Sequence, residues 1–230
     1  MEEESFFKPI AHIHNAFSEK FGIPRQSGMV EEVISSIEFL REYRDINAFR
    51  GILLYSHLWL LWEFSEHVGR WSPTVKPPRL GGNTRVGVFA TRSPFRPNPI
   101  GLSCVRLLDL VEDGESGPVL LVAGADLMDG TPIYDIKPYL AYTDSHPDAK
   151  CGFADQYKEH KLRIDFPKEL REQLKEETAA AVCGLLSADP RPAYQHDKSR
   201  IYGMEYAGYN IRFFVDGDLL TVCDVAMLKK

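Results

Sequence analysis

Apolar residues fall in short blocks over the first 140 positions and take a helical spacing only after residue 166. "KPIAHIHNAF" (8–17), "FRGILLYSHLWLLWEF" (49–64), "RVGVFAT" (85–91), "IGLSCVRLLDLV" (100–111) and "PVLLVAGADL" (118–127) each read as a strand, with a shorter one around "IYDI". "SSIEFLREY" fits the helical and the strand period equally. Pro/Gly loops such as "SEKFGIPRQSG" and "RWSPTVKPPRLGGNT" separate these blocks. Many short strands joined by turns predict a closed or curled all-β unit. No strand-to-helix alternation or Gly-rich turn marks a Rossmann domain.

A polar break, "AYTDSHPDAKCGFADQY" (141–157), precedes a second unit. There "FPKELREQLKEETAAAVCGLLSAD" predicts one helix, with Leu170, Leu174, Thr178, Ala181, Val182 and Leu185 on one stripe. "IYGMEYAG", "NIRFFV" and "LLTVCDVAML" predict three strands, the last two joined at the hairpin signal Asp216-Gly217. The expected organisation is therefore a mainly β domain over 1–145 and a small α+β domain over 158–230.

Composition narrows the function. At 44% hydrophobic and 26% charged residues, the chain is ordinary for a soluble globular protein. The acidic start "MEEESFFKPI" lacks the order of a signal peptide, and the longest apolar run is too short to span a bilayer. Four scattered cysteines predict free thiols in a reducing cytoplasm. The histidines have no metal-ligand spacing, so no metal is expected. The net charge is −6, yet His67 to Leu108 holds seven Arg/Lys and no Asp or Glu. Such a local cationic face attracts anions whatever the total.

Inside that basic stretch lies "RSPFRPNPIG" (92–101), with three prolines, two arginines and an asparagine in ten residues. Prolines exclude helix interior and central strand, so this is a stiff loop that holds Arg92, Arg96 and Asn98 in set directions. "GIPRQSG" (22–28) offers Arg25 and Gln26, able to fork onto a carboxylate or a base edge. "DLMDGTPIYDIKPY" supplies Asp126, Asp129 and Asp135 within ten residues, and Lys137. Three such carboxylates suit a ribose diol or an ammonium. Ser93, Ser103 and Cys104 show no base partner, and Trp59, Trp62 and Trp71 read as core or site wall.

"GVFATRSPFRPNPIGLS", with "IPRQ" upstream and "DGTPIYDIKPY" downstream, closely resembles the TsaA-like, or TrmO (YaeB), family of S-adenosylmethionine-dependent tRNA methyltransferases. "SHLWLLWEF", "PTVKPPRLGGN" and "ADPRPAYQ" extend the resemblance over nearly the whole chain. It implies an N-terminal β-barrel that binds S-adenosylmethionine, a homodimer, and N6-methylation of threonylcarbamoyl-adenosine 37 in the anticodon loop of a threonine tRNA. It also implies cofactor contacts at Pro24, Arg25 and Gln26, at Arg92 and Leu102, and along Ala125, Asp126, Leu127, Met128 and Asp129. A further contact follows "WEF", where relatives commonly carry a His and this chain has Ser65 and Glu66.

For the chemistry, Asp135 is the expected base and Arg96 or Lys137 its electrostatic partner. "PRPAYQHDKSR" adds Arg191, Lys198 and Arg200 as RNA contacts, with Tyr194 to stack on a base. Because every matched cofactor motif precedes residue 141, removing 158–230 is expected to spare cofactor binding more than tRNA turnover. Two alternatives use the same residues: a small-molecule methyltransferase, indifferent to tRNA, and a non-catalytic RNA-binding module, indifferent to S-adenosylmethionine.

Overall fold

The computed structural model describes residues 7–114, 117–157, 161–192, 195 and 197–228. Six strands make the N-terminal sheet: β1 (Ala11–His14), β2 (Ile34–Phe39), β3 (His57–Glu63), β6 (Ile100–Asp113), β7 (Gly117–Ala123) and β8 (Pro132–Pro138). They pair in the order β1-β2-β7-β6-β3-β8, and β8 returns to β1, closing a barrel in which every pairing is antiparallel. Alternation sends Leu58, Leu60 and Trp62 of β3 inward, against Ile13, Ile37, Leu120, Val122 and Ile133. The pairing registers place the ends of β1, β3 and β7 and the starts of β2, β6 and β8 at one end of this barrel. Three long connections, 15–33, 64–99 and 124–131, therefore leave from the same end.

The apolar segment 49–64 is not one strand. Residues Ile46–Phe49 and Ile52–Leu54 are 3-10 turns, and only His57–Glu63 joins the sheet. Gly51, at φ 85°, turns the chain there, and Leu54 is left 88% exposed. Segment 85–91 is likewise mostly not strand. Only β5 (Val86–Gly87) pairs, with the short β4 (Thr74–Val75), and Val88–Ala90 then curls into a 3-10 turn. "SSIEFLREY" resolves as β2 followed by a 3-10 turn, since its alternate residues face the barrel core.

After α1 (Ala141–Asp144), the second unit holds β9 (Arg163–Asp165), α2 (Lys168–Arg171), α3 (Glu176–Ser187), β10 (Tyr202–Tyr206), β11 (Tyr209–Asp216) and β12 (Leu219–Met227). The sheet order is β10-β11-β12-β9, so the expected meander gains a fourth strand, parallel to β12. β11 and β12 are joined through Gly217, at φ 61°. The single expected helix is broken between α2 and α3. In one continuous helix Leu170 and Ala179 would lie on opposite sides, yet both pack on the same core, and extended backbone at Lys175 re-aims the chain between them.

That core is shared. Phe17, Val30 and Val33, from the connection after β1, are buried together with Val182, Leu185, Met204, Phe213 and Val222. Gly22 sits so close to Met204 that an added Cβ would lie 2.6 Å from its Cγ. The two units are thus sealed by the same loop that carries Pro24, Arg25 and Gln26. Removing 158–230 would therefore expose Phe17, Val30 and Val33 of that connection. Among the described residues no helix is long and apolar enough to cross a membrane.

Candidate functional site

A cavity of about 400 Å³ opens at the barrel end where the three long connections meet. Pro24, Arg25 and Gln26 form one wall. Thr91, Arg92 and Arg96 come from the proline-rich loop, and Ile100, Gly101 and Leu102 from the first residues of β6. Trp62 and Phe64, at the end of β3, and Asp126, just beyond β7, complete it.

The cations are individually fixed. Arg25 donates through Nη2 to the carbonyls of Asp189 (3.0 Å) and Arg191 (2.6 Å), which ties the first loop to the C-terminal unit. Those acceptors are themselves braced, because Arg191 forks onto the Asp189 carboxylate at 2.9 and 3.1 Å. Arg96 donates to the carbonyls of Val88 (3.1 Å) and Thr91 (2.8 Å) and lies 5.6 Å over the Phe89 ring. The stiff loop is pinned by its own arginine. Arg92 donates to Gln26 Oε1 and is exposed, with further N–H groups of its fork left for a ligand.

Beneath them runs a relay. The Trp62 indole N–H donates to Ser103 Oγ (2.9 Å), and that hydroxyl donates to Asp126 Oδ1 (2.5 Å). Ser103, without a base partner in the sequence, has a carboxylate partner in space. The Trp62 ring lies flush on Gly101, where a Cβ would come within 2.2 Å of Cε2. Burial pushes the Asp126 carboxyl above the usual carboxylate range. The Ser103 hydroxyl, backbone N–H groups and the nearby Arg92 charge pull it part of the way back.

Other expected site residues sit elsewhere. Asp135 pairs with Lys137 at 2.8 Å on β8, and neither lines the cavity. Paired with Leu61 across a bulge, Asp135 takes the barrel's outer face, whereas the inner positions go to apolar side chains. Ser65 and Glu66 form a 3-10 turn outside the lining, where Glu66 pairs with Lys20, whose ammonium holds its carboxyl below the usual range. Ala125 and Leu127 are buried in the barrel core, and Met128 offers its carbonyl to Thr131. Asp129 accepts from the backbone N–H of Asn15 and lies 3.2 Å from His14 Nδ1. Only Asp126 of that segment lines the cavity. Phe64, Gly101 and Ser103 were missed by sequence reasoning. A serine on an inward position of an apolar strand was the available signal for Ser103.

Residues 12–145 match the profile of the tRNA-methyltransferase O N-terminal domain, and residues 159–228 that of the TrmO C-terminal domain. The chain belongs to the TrmO family. Within it, the chain is 39% identical over 91% of its length to a tRNA (adenine(37)-N6)-methyltransferase of Escherichia coli K12, covering 92% of that protein. It is also 39% identical to a putative S-adenosylmethionine-dependent methyltransferase of Pseudomonas aeruginosa, covering 95% of this chain and 96% of that one. A crystal structure of TrmO from P. aeruginosa superposes with a TM-score of 0.78 at 33% identity, covering 99% of both chains.

Proposed function

We propose that this TrmO-family protein transfers the methyl group of S-adenosylmethionine to N6 of threonylcarbamoyl-adenosine 37 in a threonine tRNA. The observation that carries this reading is the charge balance of the cavity, in which three guanidiniums and one carboxylate stand against aromatic and aliphatic walls. S-adenosylmethionine supplies an electrophilic methyl group, and it brings a carboxylate and a purine; the threonylcarbamoyl group adds a second carboxylate. Arg92 has donors for such a carboxylate, while Trp62, Phe64 and Leu102 give apolar contact for a purine. Holding donor and acceptor in line can itself supply much of the acceleration. The stiff loop and the relay on Asp126 serve that positioning.

The acceptor side fits an RNA loop. Arg70, Lys76, Arg85 and Arg92, all in the connection between β3 and β6 that supplies part of the cavity wall, are exposed, and in the same connection Trp71 and Phe89 are 56% and 74% exposed. Such a surface can hold phosphates and stack unpaired bases. The C-terminal cations expected at the RNA each have a partner within the chain. Arg191 is bound to Asp189, Lys198 pairs with Asp216 at 2.5 Å, and Arg200 lies over Tyr202. Tyr194 lies outside the described residues. The reading carries with it the homodimer that the family resemblance implies. The reading takes a cytoplasmic tRNA as the substrate.

The deciding experiment incubates the protein with S-adenosylmethionine and tRNA from a strain lacking the enzyme, then weighs the nucleosides. One methyl increment on threonylcarbamoyl-adenosine is expected. Methylation of a small molecule at a rate indifferent to tRNA would overturn the reading. Salt gives an independent check. With three to five phosphates met, log affinity for tRNA should fall with log salt at a slope of about −2 to −4.5. S-adenosylmethionine affinity should stay nearly flat over the same range. Arg85→Glu should make the tRNA slope shallower without moving S-adenosylmethionine affinity, because Arg85 bonds Thr74 outside the cavity. A salt-insensitive tRNA affinity would remove the basic segment from the interface.

A further inference from the structure

Among the described residues that line the cavity, Asp126 carries the one carboxylate. Its companions are guanidiniums, an amide, a hydroxyl and apolar groups; no His, Lys, Cys or Tyr is among them. An exocyclic nitrogen conjugated both to a purine and to a carbonyl holds its lone pair poorly. Such a nitrogen must shed its proton as it is alkylated, and a positioned base typically contributes about 100-fold or more to such a step.

We propose that Asp126 is the proton acceptor of the methyl transfer, with Ser103 and Trp62 as the positioning residues that aim its carboxylate. This rests on the methyltransferase reading above. In the step, the acceptor nitrogen forms a bond to the methyl carbon as the carbon–sulfur bond of the sulfonium donor breaks. The electron pair of the broken bond stays on sulfur, and the N–H proton passes to the Asp126 carboxylate. Product release then returns that proton to water.

The geometry supports the role in three ways. The carboxylate sits on the cavity wall directly after β7, with one oxygen fixed by the Ser103 hydroxyl at 2.5 Å. The Trp62 indole N–H donates to that hydroxyl oxygen, which favours the O–H pointing at Asp126. The indole in turn is seated on Gly101. Burial also raises the carboxyl above the usual range, which makes it a better base than an exposed aspartate. The charged groups facing the cavity with it are Arg25, Arg92 and Arg96, and Arg92 opposes the rise. Asp135 has neither this placement nor this burial, being 45% exposed and paired with Lys137.

The test uses the full chain and Asp126→Asn, which keeps the shape and an acceptor for Ser103. Wild-type transfer to tRNA is measured first, and its absence would overturn the methyltransferase reading and this assignment together. With wild-type activity in hand, kcat at saturating tRNA and donor should fall 100-fold or more in Asp126→Asn. The Kd for S-adenosylmethionine by calorimetry should stay within threefold. A Kd raised tenfold or more with kcat kept would make Asp126 a donor-binding group and sink the proposal alone.

Ser103→Ala gives a second arm should Asp126→Asn fail to fold. Removing a hydrogen bond that favours the charged form raises the carboxyl pKa further. The acid limb of the kcat/KM profile should therefore move to higher pH, and Asp126 itself, followed by carboxyl NMR in the free protein, should titrate higher. Ser103→Thr should restore both. A limb and a titration that do not move would overturn the relay.

Discussion

Replacing Arg191 by alanine is expected to cost about 2 kcal/mol of stability, the scale for losing charge-assisted hydrogen bonds to a buried carboxylate. Its guanidinium and the Asp189 carboxylate are only 11% and 12% exposed, and they meet in a fork. Asp189 is also held at φ 53°, a strained backbone for a residue with a side chain. Losing the fork removes two charge-assisted hydrogen bonds from the Asp189 carboxylate and frees the turn that presents two carbonyls to Arg25. Affinity for S-adenosylmethionine should therefore drop about tenfold, although Arg191 is no part of the cavity lining. Arg191→Lys should recover only part of each effect, because an ammonium cannot make the paired contact. Urea unfolding and calorimetric titration read the two quantities. A variant within 0.5 kcal/mol of the parent, or one that is destabilised with donor affinity intact, would show that the turn does not transmit to the cavity.

Gly101→Ala should be at least as damaging through a different cause. The new methyl group would lie 2.2–2.5 Å from three atoms of the Trp62 ring, and Trp62 is itself buried in the barrel core. Overpacking of this kind costs about 1–3 kcal/mol. The displaced indole also gives up its hydrogen bond to Ser103, about 1 kcal/mol more. A total near 2–4 kcal/mol should appear in urea unfolding, and donor binding should weaken because one wall of the cavity moves. A second substitution that shrinks the ring, Trp62→Phe, should relieve the clash and recover part of the stability, without restoring the Ser103 contact. Unchanged stability in Gly101→Ala alone would show that the barrel end is more pliant than its packing implies.

The loops that make the cavity were legible before any coordinates, because proline and local residue chemistry act over a few positions. "RSPFRPNPIG" is irregular wherever it is placed, and Arg92 and Arg96 do line the cavity, as do Pro24, Arg25, Gln26, Leu102 and Asp126. Choosing among the three carboxylates was a different problem. Asp126, Asp129 and Asp135 look alike in sequence, yet one lines the cavity, one caps the turn after β1 and one lies on the outer face of β8. Face and register separate them, and a shift of one residue in a strand exchanges its two faces. The bulge between Leu61 and Trp62 is the kind of irregularity that no local pattern announces.

By itself the sequence determined a mainly β chain, the helix-and-hairpin character of its C-terminal part, the stiff cationic loop and the family motifs. Each of these depends on residues close together along the chain. Tertiary structure alone decided that β8 returns to β1, that the connection after β1 is buried in the C-terminal core, and that Trp62, Ser103 and Asp126 meet. It also decided that Leu53 and Leu54 stay outside while Phe17 goes inside. The reason is physical: apolar residues state only that burial is favourable, at roughly 1.5–3 kcal/mol for a large side chain. Which surface covers them is settled by strand pairing and packing between segments tens of residues apart, and those partners exist only once the chain has folded.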